Sequence, residues 1–499
     1  MIKKEDVDGI VNSEAVFAVA VFQLYKALHD FLAASHDEYS GEVKKFHEKL
    51  KTEWKDVFAN CVHEAIVSIF YTVTGMVETN SLSLLDLPLL ESVGDVMLRI
   101  DPDYFFPSDC TVGNLAPDAV MQCCCELLHS SVIPLQLTAY HILTRLVPGL
   151  INLDTPAAFA AAVDIDCDGL SLAKLQNSLQ QMQTVVDTML LGIRLGNSCT
   201  VCPFTDAHTY TMAYLLLWTV ILEMCGLAIP ELRYQYATFL RNSGFLKSLL
   251  QNVFRLMPVQ VLQGTDPKYK VHKASEMFTS PPSLAFSQAY SSEMLEYMSC
   301  WVYCSALQRL PALVRQWWSE LEPRVASLVE QVTSVHCAPL LCAQEMKVIQ
   351  SKDMHHGNML VKVHPTVREV VAVYKVDEAC MELSIQLPNN HPLGLVRVES
   401  GKQFLDSGQW RNWMMQLRVF LTHQNGSIWD GLALWKSNLD KRFEGVEECY
   451  ICFSILHGSN FQIPRQCCST CRKKFHSTCL YKWFNTSNKA TCPICRNLF

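Results

Sequence analysis

The sequence predicts three successive domains: a long all-α region, a mixed α+β domain and a small cysteine-rich domain. Apolar residues recur at three- and four-residue spacing over the first two thirds of the chain, an alternating pattern follows, and cysteines then concentrate in a short segment. The chain has 499 residues, of which 49% are hydrophobic and 18% charged, and its formal net charge is −8. This composition excludes bulk disorder and gives no general attraction to nucleic acid.

Residues 1–340 are predicted to be helical. Two apolar faces with helical spacing are Phe17, Val21, Leu24, Leu28, Phe31 and Leu32, and Trp54, Phe58, Cys61, Ala65, Ile69 and Val73. Many successive helices with short connections are typical of α-solenoids of the HEAT or armadillo (ARM) type. Since no regular repeat period is visible, a globular helical domain remains an alternative.

Neither a membrane span nor an export signal is expected. The longest apolar stretch has 16 residues and lies between Asp206 and Glu223, which is shorter than a typical membrane span and indicates a buried helix. The first ten residues, MIKKEDVDGI, contain no apolar signal segment. The sequence therefore favours a cytosolic protein in which most cysteines are reduced.

An α+β domain is predicted over residues 341–447. Its clearest strand has four apolar residues that alternate with polar ones, namely Met381, Leu383, Ile385 and Leu387. Residues 367–376 and 393–398 are flanking strand candidates. Helical spacing returns over 410–421, and a second helix opens at Ser427, where the sequence Ser-Ile-Trp-Asp predicts a capping box with Asp430.

Residues 448–499 form the third predicted domain. From Cys449 onward they contain eight of the 22 cysteines and seven basic residues but no acidic residue, in a chain that is otherwise acidic. Four pairs of potential ligands, each separated by two residues, are Cys449 and Cys452, Cys468 and Cys471, His476 and Cys479, and Cys492 and Cys495. Eight such ligands fill two closed tetrahedral sites, so the sequence predicts two structural zinc ions. Cys467 competes with Cys468, which is preferred because it preserves the two-residue spacer.

Two families of zinc finger, RING-CH and PHD, share this ligand order, and the residues between the ligands distinguish them. A PHD finger typically has a tryptophan two residues before its seventh ligand, where this sequence has Ala490. A ubiquitin-ligase RING has an apolar residue, a tryptophan, a proline and an arginine where this sequence has Ile451, Trp483, Pro493 and Arg496. The domain therefore resembles a RING-CH-type domain. Taken singly, Ile451 and Trp483 could instead fill the small core, Pro493 could stiffen a zinc-binding turn, and Arg496 could be a solvated terminal charge.

A longer resemblance begins near residue 341. The segments ELSIQLPNNHPLGLVRVESG and WRNWMMQLRVFLTHQNGSIWDGLALWKSNLDKRFEGVEECYICFSILHG are similar to the C-terminal part of the listerin family. Residues 387–392, Leu-Pro-x3-Pro, resemble the Tyr-Pro-x3-Pro turn of RWD domains, with Leu387 replacing the tyrosine. RWD domains share the fold of ubiquitin-conjugating enzymes but lack the catalytic cysteine, and no cysteine lies between Cys380 and Cys449. The family also has HEAT/ARM-like repeats and is far longer, which implies a C-terminal fragment or short isoform.

The resemblance implies a function. The listerin family comprises RING-type E3 ubiquitin ligases that act in the cytosol on large ribosomal subunits carrying a stalled nascent chain, which they mark for the proteasome. The expected partners are a charged ubiquitin-conjugating enzyme, ubiquitin, the large subunit and a quality-control complex. Ile451, Trp483 and Pro493 would form an apolar platform for the conjugating enzyme, Arg496 would bridge it to ubiquitin, and no residue would form a covalent intermediate. The alternative is a non-enzymatic scaffold whose PHD-like finger binds a protein or peptide.

Overall fold

The computed structural model describes residues 4–34, 41–78, 87–106, 117–160, 169–263, 271–282, 291–352, 355–376, 379–401, 407–460 and 462–499. The chain divides into two compact units, Met1–Arg309 and Leu310–Phe499.

Every regular element among the described residues of the first unit is a helix. Its α-helices are α1 (Lys4–Ala33), α2 (Gly41–Glu53), α3 (Ala59–Glu78), α4 (Leu87–Met97), α5 (Pro117–Leu128), α6 (Ile133–Ala160), α7 (Ser171–Lys174), α8 (Gln176–Met189), α9 (Asp206–Leu227), α10 (Pro230–Asn242), α11 (Phe245–Leu256), α12 (Val259–Leu262), α13 (Val271–Thr279) and α14 (Ser292–Arg309). A π-helical turn at Trp54–Phe58 joins α2 to α3, and a 3-10 turn covers Pro102–Phe105. The predicted all-α region is therefore present.

Helix α9 lies in the core of this unit. It is apolar on all sides, and α6, α8 and α14 pack around it, so that Tyr214 and Trp218 are fully buried. A helix without a polar face requires such an enclosed position. Three helical stretches have the length and hydropathy of a membrane-crossing segment, namely Val16–Ala33, Asp206–Leu227 and Pro323–Ser351.

The second unit begins with three helices and continues into a sheet. Its elements are α15 (Pro311–Ser319), α16 (Pro323–Val332), α17 (Ala338–Ser351), β1 (His355–His356), β2 (Met359–His364), β3 (Glu369–Val376), β4 (Ala379–Gln386), β5 (Arg397–Ser400), α18 (Ser407–His423), α19 (Ile428–Phe443), β6 (Gln466–Cys467), β7 (Lys474–Phe475) and α20 (Ser477–Ser487). A π-helical turn at Thr333–Cys337 joins α16 to α17. Strands β1 to β5 form one antiparallel sheet in chain order.

The α+β domain has the predicted alternation and cap. Met381, Leu383 and Ile385 point into the core from β4, as the alternating pattern predicts. At the start of α19, the Ser427 hydroxyl accepts a hydrogen bond from the Asp430 amide at 3.2 Å, and the Asp430 carboxylate accepts one from the Ser427 amide at 2.9 Å. This reciprocal pair is the predicted capping box, and it fixes where α19 begins.

Helix α15 is bonded to the α+β domain. Its Arg315 side chain donates hydrogen bonds to the carbonyl oxygens of Pro392, at 3.0 and 2.8 Å, and of Thr422. The Ala312 amide donates to the Asn425 side chain at 2.9 Å. The compact unit therefore begins at Leu310, and the helices continue within it to Ser351.

Candidate functional site

Residues 449–499 form a small domain with few apolar residues in its interior. It consists of the β6–β7 hairpin, helix α20 and long loops. Its buried core has six residues, of which four are cysteines: Cys449, Cys468, Phe475, Cys479, Leu480 and Cys492. So small a core does not hold a chain folded by burial of apolar surface alone, and domains of this size usually depend on disulfides or metal ions.

Eight side chains come together in two clusters that could each hold a metal ion. The first cluster is Cys449, Cys452, His476 and Cys479, and the second is Cys468, Cys471, Cys492 and Cys495. Within each cluster the ligand atoms lie within 4.8 Å of one another. The eight members are the eight predicted ligands. The first and third pairs share one cluster and the second and fourth pairs share the other, so the clusters interlock along the chain.

The separation of the sulfur atoms fits zinc better than disulfides. In the second cluster the Sγ atoms of Cys468 and Cys495 are 3.7 Å apart, as are those of Cys471 and Cys492. Four sulfurs placed tetrahedrally at about 2.3 Å from a zinc ion are about 3.8 Å apart. A disulfide would require about 2.05 Å.

The histidine of the first cluster is oriented as a metal ligand. His476 Nδ1 lies 3.3 Å from Cys452 Sγ and 3.8 Å from Cys479 Sγ. Its other ring nitrogen, Nε2, lies 3.1 Å from the Ile455 carbonyl oxygen. Because that carbonyl only accepts, Nε2 carries the hydrogen and the lone pair of Nδ1 faces the sulfurs, which is the usual support for a metal-bound histidine.

Three of the four ligand pairs lie on turns of the same backbone geometry. In each, the residue after the second cysteine has a positive φ angle: 55° at Phe453, 55° at Arg472 and 60° at Arg496. Each of these residues donates its amide hydrogen to the carbonyl of the first cysteine of its pair, at 2.7, 3.0 and 3.0 Å respectively. Residues other than glycine rarely adopt this conformation, so its recurrence shows that the ligand turn imposes it. In the fourth pair, His476 instead caps α20 and Cys479 lies in its first turn.

Backbone amides stabilise the thiolate form of two ligands. Hydrogen bonds from the amides of Cys471 and Thr470 lower the pKa of Cys468 to about 6. Burial acts to raise the pKa of Cys449, but amide donors, first among them His476 at 3.3 Å, outweigh it and lower that pKa. A thiolate is the form that binds metal. Burial raises the pKa of Cys479 to about 12, so metal binding must displace its proton.

The structure distinguishes the two adjacent cysteines. Cys468 is fully buried and belongs to the second cluster. Cys467 is exposed, and its thiol donates a hydrogen bond to the Arg472 carbonyl at 3.3 Å, outside both clusters. Cys468 is therefore the third cysteine of the ligand set, as its spacing predicts.

The four predicted partner-binding residues lie on the ligand turns and on α20. Ile451 is half-buried in the first ligand turn and Pro493 is half-buried in the last. Arg496 follows that last turn and is exposed. Trp483, on α20, is 36% exposed, and its indole nitrogen donates a hydrogen bond to the Thr491 carbonyl at 3.0 Å.

Sequence reasoning missed Phe499, which packs into the domain core against two other aromatic rings. Phe499 lies three positions after Arg496, and an apolar residue at that position was the available signal.

No other metal cluster occurs among the residues that the structure describes. Among those residues, three or more histidine, cysteine or acidic side chains lie close enough to share an ion only in the two clusters above. Cys123, Cys124 and Cys125 are buried in α5, as expected for core thiols.

Known proteins resemble the chain in each of these parts. Residues 115–350 match the family model described as LTN1 family HEAT repeat region, and residues 359–442 match the model of a ubiquitin conjugating domain-like fold. The E3 ubiquitin-protein ligase listerin of Gallus gallus is 37% identical over 463 residues, which cover 90% of this chain and 26% of that protein. The chain is homologous to the listerins.

Two further listerins match nearly the whole chain. The Mus musculus protein is 35% identical over 98% of this chain and 29% of its own length, and the Drosophila melanogaster protein is 36% identical over 97% and 28%. The chain thus spans less than a third of these curated listerins. The predicted fold class is confirmed: a HEAT-type helical region precedes a domain similar to ubiquitin-conjugating enzymes and a cysteine-rich domain that could bind zinc.

Proposed function

We propose that the chain is a RING-type E3 ubiquitin ligase that binds two structural zinc ions. The observation that carries this proposal is the pair of interlocked ligand clusters, because their turns present Ile451, Pro493 and Arg496 and enclose helix α20 with Trp483. Zinc fits the donor set of seven thiolates and one imidazole. Because protein groups supply all four ligands at each site, the bound ions would serve folding and leave no open position for catalysis.

The proposed mechanism is positional. Ile451, Trp483 and Pro493 would contact the loops of a conjugating enzyme that carries ubiquitin as a thioester. A substrate lysine then attacks the thioester carbonyl, a new amide bond forms, and the cysteine of the conjugating enzyme leaves. The forked guanidinium of Arg496 would donate hydrogen bonds to carbonyl groups of the conjugating enzyme and of ubiquitin, which restricts the thioester to a reactive geometry.

The domain similar to conjugating enzymes would not catalyse transfer itself. Its one cysteine, Cys380, lies within strand β4, where it is paired with Lys375 of β3, and the sequence has no further cysteine before Cys449. We propose that it is a non-catalytic RWD domain that holds the zinc domain near its substrate.

The proposed substrates are stalled nascent chains on large ribosomal subunits in the cytosol. Similarity to the listerins supports this proposal. The test is sedimentation of the purified chain with large subunits that carry a stalled nascent chain and with empty ones. Preferential co-sedimentation with the stalled complexes is expected, and equal or absent binding would contradict recruitment by this chain alone.

Ligase activity is tested with purified full chain, ubiquitin-activating enzyme, a panel of charged conjugating enzymes, ubiquitin and ATP. Wild-type chain should build ubiquitin chains, and Trp483→Ala should lower the rate at least tenfold, as expected for an interface hot spot. Tyr481→Ala is the matched control, because Tyr481 lies on the same helix and is 69% exposed. If wild type and Trp483→Ala are equally inactive while two zinc ions are bound, the domain is a binding scaffold.

A further inference from the structure

Residues 490–499 form a closed strap around the last ligand turn. Thr491 forms an antiparallel bridge with Leu498. Outside that bridge, the Phe499 amide donates a hydrogen bond to the Ala490 carbonyl at 3.1 Å. Inside it, the Cys492 amide donates to the Asn497 carbonyl at 2.8 Å. Arg496 lies at the bend between the two arms of the strap, residues 490–492 and 497–499. Its position therefore depends on how firmly both arms are held.

One arm is held by an aromatic contact. The Phe499 ring packs edge-on against Phe475 of β7, with centroids 6.0 Å apart and planes at 64°, and against Phe484 of α20, at 5.7 Å and 69°. Such edge-to-face contacts contribute beyond simple apolar burial. Because Phe475 is fully buried, this arm is anchored in the domain core.

The other arm is held by Trp483. Its indole nitrogen donates to the Thr491 carbonyl at 3.0 Å, which ties the strap to α20 immediately before the metal ligand Cys492. An apolar contact with a conjugating enzyme would not need this donor. The hydrogen bond therefore assigns Trp483 a second role, in addition to the apolar surface that it offers.

We propose that the indole N–H of Trp483 and the ring of Phe499 are positioning groups that fix the strap and thereby hold Arg496 in place for the charged conjugating enzyme. The proposal rests on the ligase function proposed above. An arginine side chain on a loose turn would have to be ordered at each encounter, and a turn fixed in advance removes part of that entropic cost.

The decisive variant is Trp483→Phe, which keeps an aromatic ring in the platform but removes the indole N–H donor together with the second ring. With the full chain, we expect single-turnover discharge of ubiquitin from a charged conjugating enzyme to free lysine to slow about fivefold, as for the loss of one hydrogen bond. The dissociation constant for the uncharged conjugating enzyme, which reports the smaller apolar platform alone, should rise by a smaller factor than that by which discharge slows. Tyr481→Phe, on the same helix, is the matched control and should discharge ubiquitin at the wild-type rate.

A double-mutant cycle separates positioning from general destabilisation. In an Arg496→Ala background, Trp483→Phe should cause little further loss, because the group that it positions is already absent. Phe499→Ala should behave in the same way, and Phe499→Leu should recover part of the rate. Two bound zinc ions and a cooperative melting transition above the assay temperature in each variant show that the domain remains folded.

Several outcomes overturn the proposal. Wild-type discharge by Trp483→Phe would show that the donor is not needed. Full additivity with Arg496→Ala, or an equal loss in affinity for the uncharged enzyme, would show that the effect does not pass through Arg496. If the wild-type chain itself accelerates no discharge, the ligase proposal has failed instead, so the two failures are distinguishable.

Discussion

The α+β domain and the cysteine-rich domain follow one another in the chain but are held together by different interactions. In the α+β domain a sheet and helices α17, α18 and α19 enclose a continuous core that includes Tyr374, Leu383 and Trp435, and Leu456 of the cysteine-rich domain packs into its edge. Between Cys449 and Phe499 the buried core has six residues, four of them cysteines. The first domain is stable because it buries apolar side chains, whereas we propose that the second depends on metal ions held by its eight ligand atoms. Treatments that act on metal and on apolar packing should therefore affect them separately.

Metal removal should produce the largest difference between the two domains. Structural zinc contributes about 10–16 kcal/mol to folding in small zinc-binding peptides, which is more than this core could replace. After chelation, trypsin should cleave the full chain at Arg472, Lys482 and Lys489, while sites between residues 359 and 443 stay protected. Simultaneous loss of protection in both domains would show that they do not fold independently of each other.

The adjacent residues Cys467 and Cys468 should give the next largest difference, in the number of metal ions bound after substitution. Cys468→Ala should reduce the metal content from two ions to one, because three ligands no longer close the second site. Cys467→Ala should leave the metal content unchanged and alter the free energy of unfolding by no more than about 0.5 kcal/mol. Native mass spectrometry measures the number of metal ions bound to each variant. Equal loss of metal in the two variants would contradict the ligand assignment.

A substitution in the apolar core should destabilise the α+β domain without affecting metal binding. Trp435 is buried at the centre of the α+β domain, so Trp435→Ala should lower the free energy of unfolding by about 3–5 kcal/mol while two metal ions remain bound. Met415→Ala is the control on α18, because Met415 is 66% exposed. Urea unfolding monitored alongside metal content would separate these outcomes, and metal loss in Trp435→Ala would contradict the comparison.

The pH dependence should also differ between the domains. Burial raises the pKa of Glu345, on α17, to about 7, in part offset by the hydrogen bond from the Ile428 amide. Between about pH 4.5 and 7 the unfolded chain releases this proton first, so the group lowers stability as pH rises, by up to about 3 kcal/mol. Metal ligands act in the opposite sense, since acid protonates them.

Glu345→Gln removes that titration. The difference in free energy of unfolding between Glu345→Gln and wild type should shift in favour of the variant by up to about 3 kcal/mol as the pH rises from 5 to 8. Urea unfolding at the two pH values measures the change. An identical pH dependence in both proteins would show that Glu345 does not titrate in this range.

Local patterns in the sequence predicted much of this architecture. The alternation around Leu383 identified β4, and the sequence after Ser427 identified a helix start, because strand faces and caps are encoded in neighbouring residues. The two-residue spacers identified the ligands. What spacing does not encode is which pairs share an ion, how Arg315 joins α15 to the sheet domain, or that Trp483 bonds to Thr491. These features depend on contacts between residues that are separated in the sequence and that meet only in the folded chain.

Two arginines in equivalent turns test the central proposal most directly. Arg472 and Arg496 both follow a cysteine pair, with φ angles of 55° and 60°, and both donate their amide to the first cysteine, so alanine should disturb the two turns equally. Only Arg496 occupies the position expected to bridge conjugating enzyme and ubiquitin. The measurement is single-turnover discharge of ubiquitin by the full chain. Arg496→Ala should slow it at least tenfold and Arg472→Ala less than twofold, whereas equal rates in the two variants would contradict the proposed ligase site.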